Sequence, residues 1–383
     1  MDKKLKILCV FGTRPEAIKM SPLVLALKEN PAFKTIVLVT AQHRELLDSV
    51  LETFGISPDH DLNIMRGGQT LTEIATRALT GVGEYLEKTR PDLLLVHGDT
   101  ATTFAASLAG FYARVAVGHV EAGLRTFNKY EPYPEEMNRL LTGRLADMHF
   151  APTKTAKENL LRENIAAESI YVTGNTEIDA VLSVLSKKGE YRYKMPELNS
   201  LDKSRRLIVM TAHRTENLGR PMAEICRAIG RIIDENPDTQ LVWPMHPNPK
   251  VRETAMAELS GHPRILLTNA TETEDMYHLA NSAFMIASDS GAIQEISAYL
   301  HKPCVVLRNV TERPEGVETG VLLLGGNSYD TVYKALNSLL TDDALYEKMA
   351  AADNPFGDGH ASARIVLGIL HHFGLVPNRP EDF

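Results

Sequence analysis

Long apolar runs are missing from this 383-residue chain. None approaches the roughly 18 consecutive apolar residues that mark a membrane-crossing helix. The opening segment, MDKKLKILCVFGTRPE, has only about six apolar residues behind its lysines, too few for a secretory signal core. Cysteine is scarce: Cys9, Cys226 and Cys304 lie far apart, with no Cys-x-x-Cys pair. That excludes a disulfide framework, and Cys9 in KILCVF and Cys304 in PCVVL read as buried free thiols. A soluble protein of the reducing cytoplasm, away from membranes, is the expectation. An excess of basic residues is absent too, with 41 Lys and Arg against 49 Asp and Glu and a net charge of −8. No electrostatic footprint for nucleic acid remains, so a polyanionic ligand must be held by a few local cations and backbone amides.

Several chemical signatures are missing as well. There is no Gly-Lys-Ser/Thr phosphate loop, no Gly-x-Gly-x-x-Gly after the first strand to favour NAD, and no serine nucleophile elbow. His213 and His246 have no cysteine or carboxylate at metal-ligand spacing. Neither a metal nor a cofactor is expected.

What is present is alternation. Short apolar runs recur at Lys6–Phe11, Thr35–Thr40, Leu93–His97, Val115–Val120 and Ile170–Val172. A second series runs through Leu207–Met210, Gln240–Trp243, Ile265–Leu267, Ala283–Ala287 and Cys304–Leu307. Helical periodicity separates them, as in Ala17–Glu29, Leu71–Leu86, Met222–Ile233 and Val332–Leu340. Continuous apolar strands alternating with helices mean parallel sheets covered on both faces. Between the series, residues 187–206 carry charge without either period and read as a linker region. The predicted class is α/β, two Rossmann-like doubly wound domains facing a central cleft, with ligands at the carboxyl ends of the strands.

Chemistry-bearing residues cluster at those strand ends. The first strand runs into GTRPEAIK, where Gly12 permits a tight turn and Arg14 and Lys19 bracket a helix start suited to a phosphate. HGDT places Asp99 at a helix beginning, where capping is an equally good account of it. GHVEAGLRT puts Glu121 at the same rim, and EPYPEEMNR sets Glu135 and Glu136 at another helix start. Asp99 and Glu121 are candidates for a facing acid and base. In the second half, TAHRTEN supplies His213 and Arg214, and PMHPNPK supplies His246. Such imidazoles bind phosphate, relay protons or serve as ordinary structural residues. In SDSGAIQE, Ser290 and Gly291 open a helix whose free N–H groups suit a diphosphate, and TERPEG offers Arg313 as an anion clamp.

Taken together, GTRPEAIKMSPL, AQHRELLD, HGDTATTFAASLAGFY, GHVEAGLRT, PYPEEMNR, VTGNTEIDAV, HPNPKVRE and TERPEG resemble the non-hydrolysing UDP-N-acetylglucosamine 2-epimerases, motif by motif and in order. The resemblance implies a fold like that of the GT-B glycosyltransferases and a homodimer. It sets domains at residues 1–175 and 176–361, with a C-terminal helix, about 362–383, packing back on the first. It implies reversible interconversion of UDP-GlcNAc and UDP-ManNAc, through loss of the carbon-2 proton, anti elimination of UDP and a bound glycal. By resemblance, Asp99, Glu121 and Glu135 fall on essential acidic positions and His213 on an essential histidine. Arg14, Lys19, His246, Met276, Ser290, Gly291, Ala292 and Arg313 fall on substrate-binding positions. Gln42, His43, Glu136 and Arg214 resemble a regulatory site for a second UDP-GlcNAc.

The chain departs from the family pattern in its second half. Ala292 replaces a glycine beside the diphosphate, Ile296 a glutamate that binds ribose, and Met276 an aromatic that contacts uracil. Thr215, Glu45 and Gly68 also differ near the regulatory positions. Weaker or altered nucleoside binding is therefore expected. An epimerase of another nucleotide sugar, a hydrolysing relative, a glycosyltransferase and a non-catalytic binding protein stay open, although GTRPE and AQHRE resemble the non-hydrolysing branch.

Overall fold

The structure, a computed structural model, describes residues 4–41 and 44–383. Contacts divide it into two units, Met1–Ser183 with Gly357–Phe383, and Val184–Phe356. The first holds seven parallel strands: β1 (Leu5–Phe11), β2 (Phe33–Val39), β3 (His60–Asp61), β4 (Leu93–His97), β5 (Ala116–Val120), β6 (Met148–Ala151) and β7 (Ile170–Val172). The second holds six: β8 (Arg206–Thr211), β9 (Thr239–Met245), β10 (Ile265–Asn269), β11 (Met285–Ser288), β12 (Cys304–Val306) and β13 (Leu322–Leu324). Their spatial orders are β3-β2-β1-β4-β5-β6-β7 and β10-β9-β8-β11-β12-β13. Each is the Rossmann order, and the class is α/β with two doubly wound units. In each, the strand order reverses beside the first strand, between β1 and β4 and between β8 and β11, which is where such sheets bind ligands.

The apolar runs become central strands because both their faces are covered. Leu8, Val10, Leu94 and Val96 pack with Val82 and Leu86 of helix Leu71–Thr89. In the second unit, helix Arg220–Glu235 places Met222, Ile225, Ile229, Ile232 and Ile233 on one face. These spacings of three and four residues bring them into one core with Trp243. Its solvent face carries the pairs Arg220–Glu224 and Arg231–Glu235, 2.7 and 2.8 Å apart. Cys9, Cys226 and Cys304 are buried free thiols. No described helix is long and apolar enough to cross a membrane.

The first unit is completed from far along the chain. Helix Ala361–His372 lies against helix Arg14–Glu29. Its first two amides, on Ala361 and Ser362, donate to the Asp179 carboxylate at 3.1 and 2.7 Å. Gly368 lets it approach the sheet: a Cβ there would stand 3.2 Å from the Phe150 ring and 3.3 Å from the Tyr171 ring.

Residues 187–205 do lack regular structure apart from a short 3-10 turn, Pro196–Ser200, and Arg206 opens β8. They are nevertheless fastened within the second unit. Buried Asp275 accepts from the Tyr191 hydroxyl at 2.6 Å and from the Lys194 and Met195 amides at 2.9 and 3.0 Å. Tyr191 also stacks on His278 with ring centres 3.6 Å apart. A segment without periodicity is here an anchored strap, because side-chain and backbone bonds to one carboxylate replace the missing ladder.

Candidate active site

In the first unit, the turn after β1 is tight. A Cβ on Gly12 would lie 1.8 Å from Thr40 Oγ1, so only glycine fits. Thr13 precedes helix Arg14–Glu29, and Glu16, three residues on, turns back to accept from the amides of Gly12 and Thr13 at 3.1 and 2.8 Å. The other Glu16 oxygen accepts from the hydroxyls of Thr100 and Thr103 at 2.8 and 3.1 Å. One buried carboxylate thus ties the turn after β1 to the turn after β4. Burial drives its pKa upward, and these hydrogen bonds oppose the rise. Sequence reasoning missed Glu16; the capping-box spacing from Thr13 was the available signal.

Asp99 stands at the end of β4, in the turn that Glu16 braces. Its carboxylate pairs with the Arg139 guanidinium at 2.5 Å, and its carbonyl accepts from the Asn138 amide at 2.9 Å. Burial pushes the Asp99 carboxyl up to about 6. The Arg139 charge opposes that, while the carboxylates of Glu121 and Glu135 push it further. Glu121 follows β5 with φ 62°, in the left-handed region. That conformation costs a non-glycine residue about 1–2 kcal/mol, and here it belongs to a residue at the rim. Glu121 forms a close ion pair with Lys19, accepts from the Asn175 amide at 2.7 Å, and lies 3.9 Å from His97 Nε2.

Behind this rim lie two neutral histidines. His97 is pushed down to about 4 and His119 to about 3, both chiefly by burial. His119 Nε2 bonds the Gly98 carbonyl at 2.7 Å, which holds the residue before Asp99. Glu135 opens helix Glu135–Leu145 and is half-buried. Glu136 is turned to structure, accepting from the Thr126 amide at 3.1 Å and the Phe127 amide at 2.9 Å.

In the second unit, His213 and Arg214 follow β8 and Asp289 follows β11. The two strands pair with Ser288 opposite Thr211, which sets Asp289 beside the His213 loop. His213 stacks on His246 with ring centres 5.1 Å apart and planes 14° from parallel. Its pKa is lowered by burial first, the Asp289 charge opposing, with His246 and Arg214 adding to the fall. Arg214 donates to the Asp289 carbonyl at 3.3 Å and lies 3.9 Å from Glu312.

Ser290 and Gly291 begin helix Gly291–Tyr299. The Arg313 guanidinium lies over Gly291, 3.4 Å from where a Cβ would be, and bonds buried Glu295. A cation and a helix N-terminus therefore share one spot. Ala292 is half-buried in the first turn of that helix, whereas Ile296 is only 2% exposed and belongs to the core. Met276 sits on a separate helix, Thr273–Ser282, where its sulfur accepts from Thr271 Oγ1 at 3.8 Å.

The first unit thus brings Asp99, Glu121, Glu135 and Lys19 into one electrostatic group, with Arg14 opening the neighbouring helix. The second gathers His213, Arg214 and His246 around Asp289, and Gly291 with Arg313. Gln42 and His43 lie outside the described residues, as does the Glu45 side chain; Gly68 takes φ 71° and Thr215 starts a 3-10 turn. Among the described residues, no cluster of three or more His, Cys, Asp or Glu is arranged to hold a metal ion.

Comparison with known proteins agrees on one family. A family model described as UDP-N-acetylglucosamine 2-epimerase matches residues 25–370. A Bacillus subtilis (strain 168) UDP-N-acetylglucosamine 2-epimerase is 52% identical over 381 residues, spanning 100% of this chain and 99% of its own length. The S. aureus MnaA–UDP structure superposes with a TM-score of 0.90 at 50% identity, covering 99% of this chain and 100% of that one. A Neisseria meningitidis UDP-GlcNAc 2-epimerase bound to UDP-GlcNAc gives 0.88 at 43% identity, covering 96% and 100%.

Proposed function

The chain belongs to the UDP-N-acetylglucosamine 2-epimerase family and is by that kinship an isomerase; from this premise we propose that it interconverts UDP-GlcNAc and UDP-ManNAc without releasing free sugar. The carbon-2 proton leaves to a carboxylate of the first unit while the bond from carbon 1 to the UDP oxygen breaks. The electron pair of the carbon–hydrogen bond becomes the double bond of a glycal, and UDP carries off the pair of the broken bond. Re-addition of UDP with protonation on the opposite face completes the inversion.

The observation that carries this reading is the pair of unlike carboxyls at one rim. Asp99 is pushed up to about 6, where it exchanges a proton near neutral pH, while Glu121 is tied to Lys19. Carbon-2 inversion asks for an acceptor and a donor on opposite faces, which is served by carboxyls kept in different environments. Glu135 adds charge to the same cluster. Negative charge building on UDP is met by the Gly291 helix N-terminus, Ser290 and Arg313, with His213 as a further ligand.

Proton NMR of UDP-GlcNAc incubated with the protein in deuterium oxide tests the proposal. UDP-ManNAc with deuterium at carbon 2 of both sugars is the expected result. Free ManNAc plus UDP would place the chain with hydrolysing relatives instead. No reaction would turn attention to Met276 and Ala292, and other nucleotide sugars would follow.

A further inference from the structure

Asp289 is fully buried, and its two carboxylate oxygens are used unequally. Oδ2 accepts three hydrogen bonds, from the amides of His213 and Arg214 at 2.9 Å each and from Asn217 Nδ2 at 3.0 Å. Oδ1 has no hydrogen-bond partner among the described residues. The imidazole Nδ1 of His213 lies 3.6 Å from it. Asn217, which pins Oδ2, is itself held by its bond to the Leu307 carbonyl at 2.9 Å. The Asp289 amide is fixed too, donating to the Thr211 carbonyl across the switch point at 3.2 Å. The carboxylate is therefore immobile, and the imidazole is the partner able to move.

We propose that Asp289 is the positioning residue of His213, its Oδ1 accepting a hydrogen bond from Nδ1–H and leaving Nε2 as the ring's ligand-facing atom. The proposal rests on the reading of His213 as a reacting residue. A buried carboxylate oxygen without a donor is costly, and the 3.6 Å gap closes with a small rotation of the ring. Catalytic hydrogen bonds are often this long until substrate is bound. Stacking on His246 covers one face of the ring. With Nδ1–H held, a neutral ring offers a lone pair at Nε2, and a protonated ring offers Nε2–H to a phosphate oxygen as the bond to carbon 1 breaks. Burial favours the neutral ring first; among the neighbouring charges, Asp289 and Glu216 favour the cation, and His246 and Arg214 oppose it.

Asp289→Asn separates this role from simple support of the loop. The amide oxygen of Asn keeps an acceptor for all three donors, while an NH2 replaces the oxygen that faces His213. Expected is a kcat for epimerisation lower by about tenfold or more, with KM for UDP-GlcNAc within about threefold. The His213 pKa, followed by NMR, should fall by about one unit. A folded variant with wild-type kcat and an unmoved His213 pKa would overturn the proposal. If the variant does not fold, nitrogen-15 shifts of His213 in the wild-type protein decide instead. A neutral ring protonated at Nδ1 supports the proposal, and one protonated at Nε2 overturns it. His213→Gln separates the two readings: wild-type turnover there sinks the role of His213 itself. Its inactivity together with an unimpaired Asp289→Asn sinks only the positioning role.

Discussion

The two units run their strands in the same order, yet the rims at their switch points are organised in opposite senses. In the first, carboxylates occupy the rim and cations serve them: Arg139 on Asp99, Lys19 on Glu121. In the second, the imidazole and the guanidinium occupy the rim and buried carboxylates serve them: Asp289 beside His213, Glu295 on Arg313. One scaffold thus carries carboxylates backed by cations at one switch point and an imidazole and a guanidinium backed by carboxylates at the other, which on the proposed reading serve proton handling and anion holding. Even the buried neutral histidines follow this division, His97 and His119 lying in the first unit behind its acids.

That contrast is open to direct attack. The largest effect should come from Asp99→Asn, which removes the titrating carboxyl and keeps its shape. Turnover should fall by about 10²–10⁴-fold, with UDP affinity unchanged. Because the Asp99 pKa is raised from 3.8 to about 6, its contribution to stability is present at low pH and lost as pH rises through about 6. The variant should then melt at or above the wild-type temperature at pH 7.5. Near-normal turnover in the NMR assay would remove the first rim from the chemistry.

Lys19→Met tests whether cations there serve the acids. Stripping Glu121 of its buried partner should destabilise the protein by about 3–5 kcal/mol in urea unfolding. A loss well under 1 kcal/mol would show that the pair is incidental.

His119→Gln addresses the buried histidines, the new amide keeping a donor for the Gly98 carbonyl. With the His119 pKa lowered from 6.5 to about 3, its stabilising contribution is present above 6.5 and lost as pH falls through about 3. The wild type should therefore lose stability on acidification more steeply than the variant, by up to about 1.4 kcal/mol per pH unit between pH 6 and 4. Parallel curves would mean that His119 is protonated in the folded state as readily as in the unfolded chain.

On the second rim, Arg313→Lys should weaken UDP binding about tenfold in calorimetry, since an ammonium cannot reproduce the planar fork. Unchanged affinity would leave Arg313 as a prop for Glu295. The smallest effect is reserved for Ala292→Gly. UDP affinity should rise by less than about threefold while stability drops by about 0.5–1 kcal/mol from the helix glycine. A larger gain would mean that the Ala292 methyl group crowds the diphosphate.

Much of this arrangement was legible beforehand, and the limits have physical causes. Continuous apolar runs mark the central strands because burial on two faces leaves no alternative composition. The edge strand β3 was missed because His60 and Asp61 form no apolar run; β6 and β13 were missed as well, although β7 and β12, three residues each, read as apolar runs. Asp99, Glu121 and His213 stood out as polar residues directly after such runs. Glu16 and Asp289 did not, for an acid at a helix start and an Asp before Ser-Gly look alike whether they cap, bind or brace. Their roles exist only once the turns after β1 and β4, or β8 and β11, are brought together. His97 and His119 were hidden inside apolar strands for the same reason. In the sequence Ile296 counts against nucleoside binding; the structure adds that its side chain is packed away in the core.

The return of Gly357–Phe383 to the first unit also sets an order of assembly on the ribosome. Residues 184–356 form one uninterrupted stretch, so everything the second unit needs has been translated before helix Ala361–His372 exists. Until then Asp179 has no helix amides to accept from, and the rings of Phe150 and Tyr171 lack the backbone that Gly368 brings against them. Nascent domains ordinarily mature in the order they are made. Here the unit begun first is the one finished last.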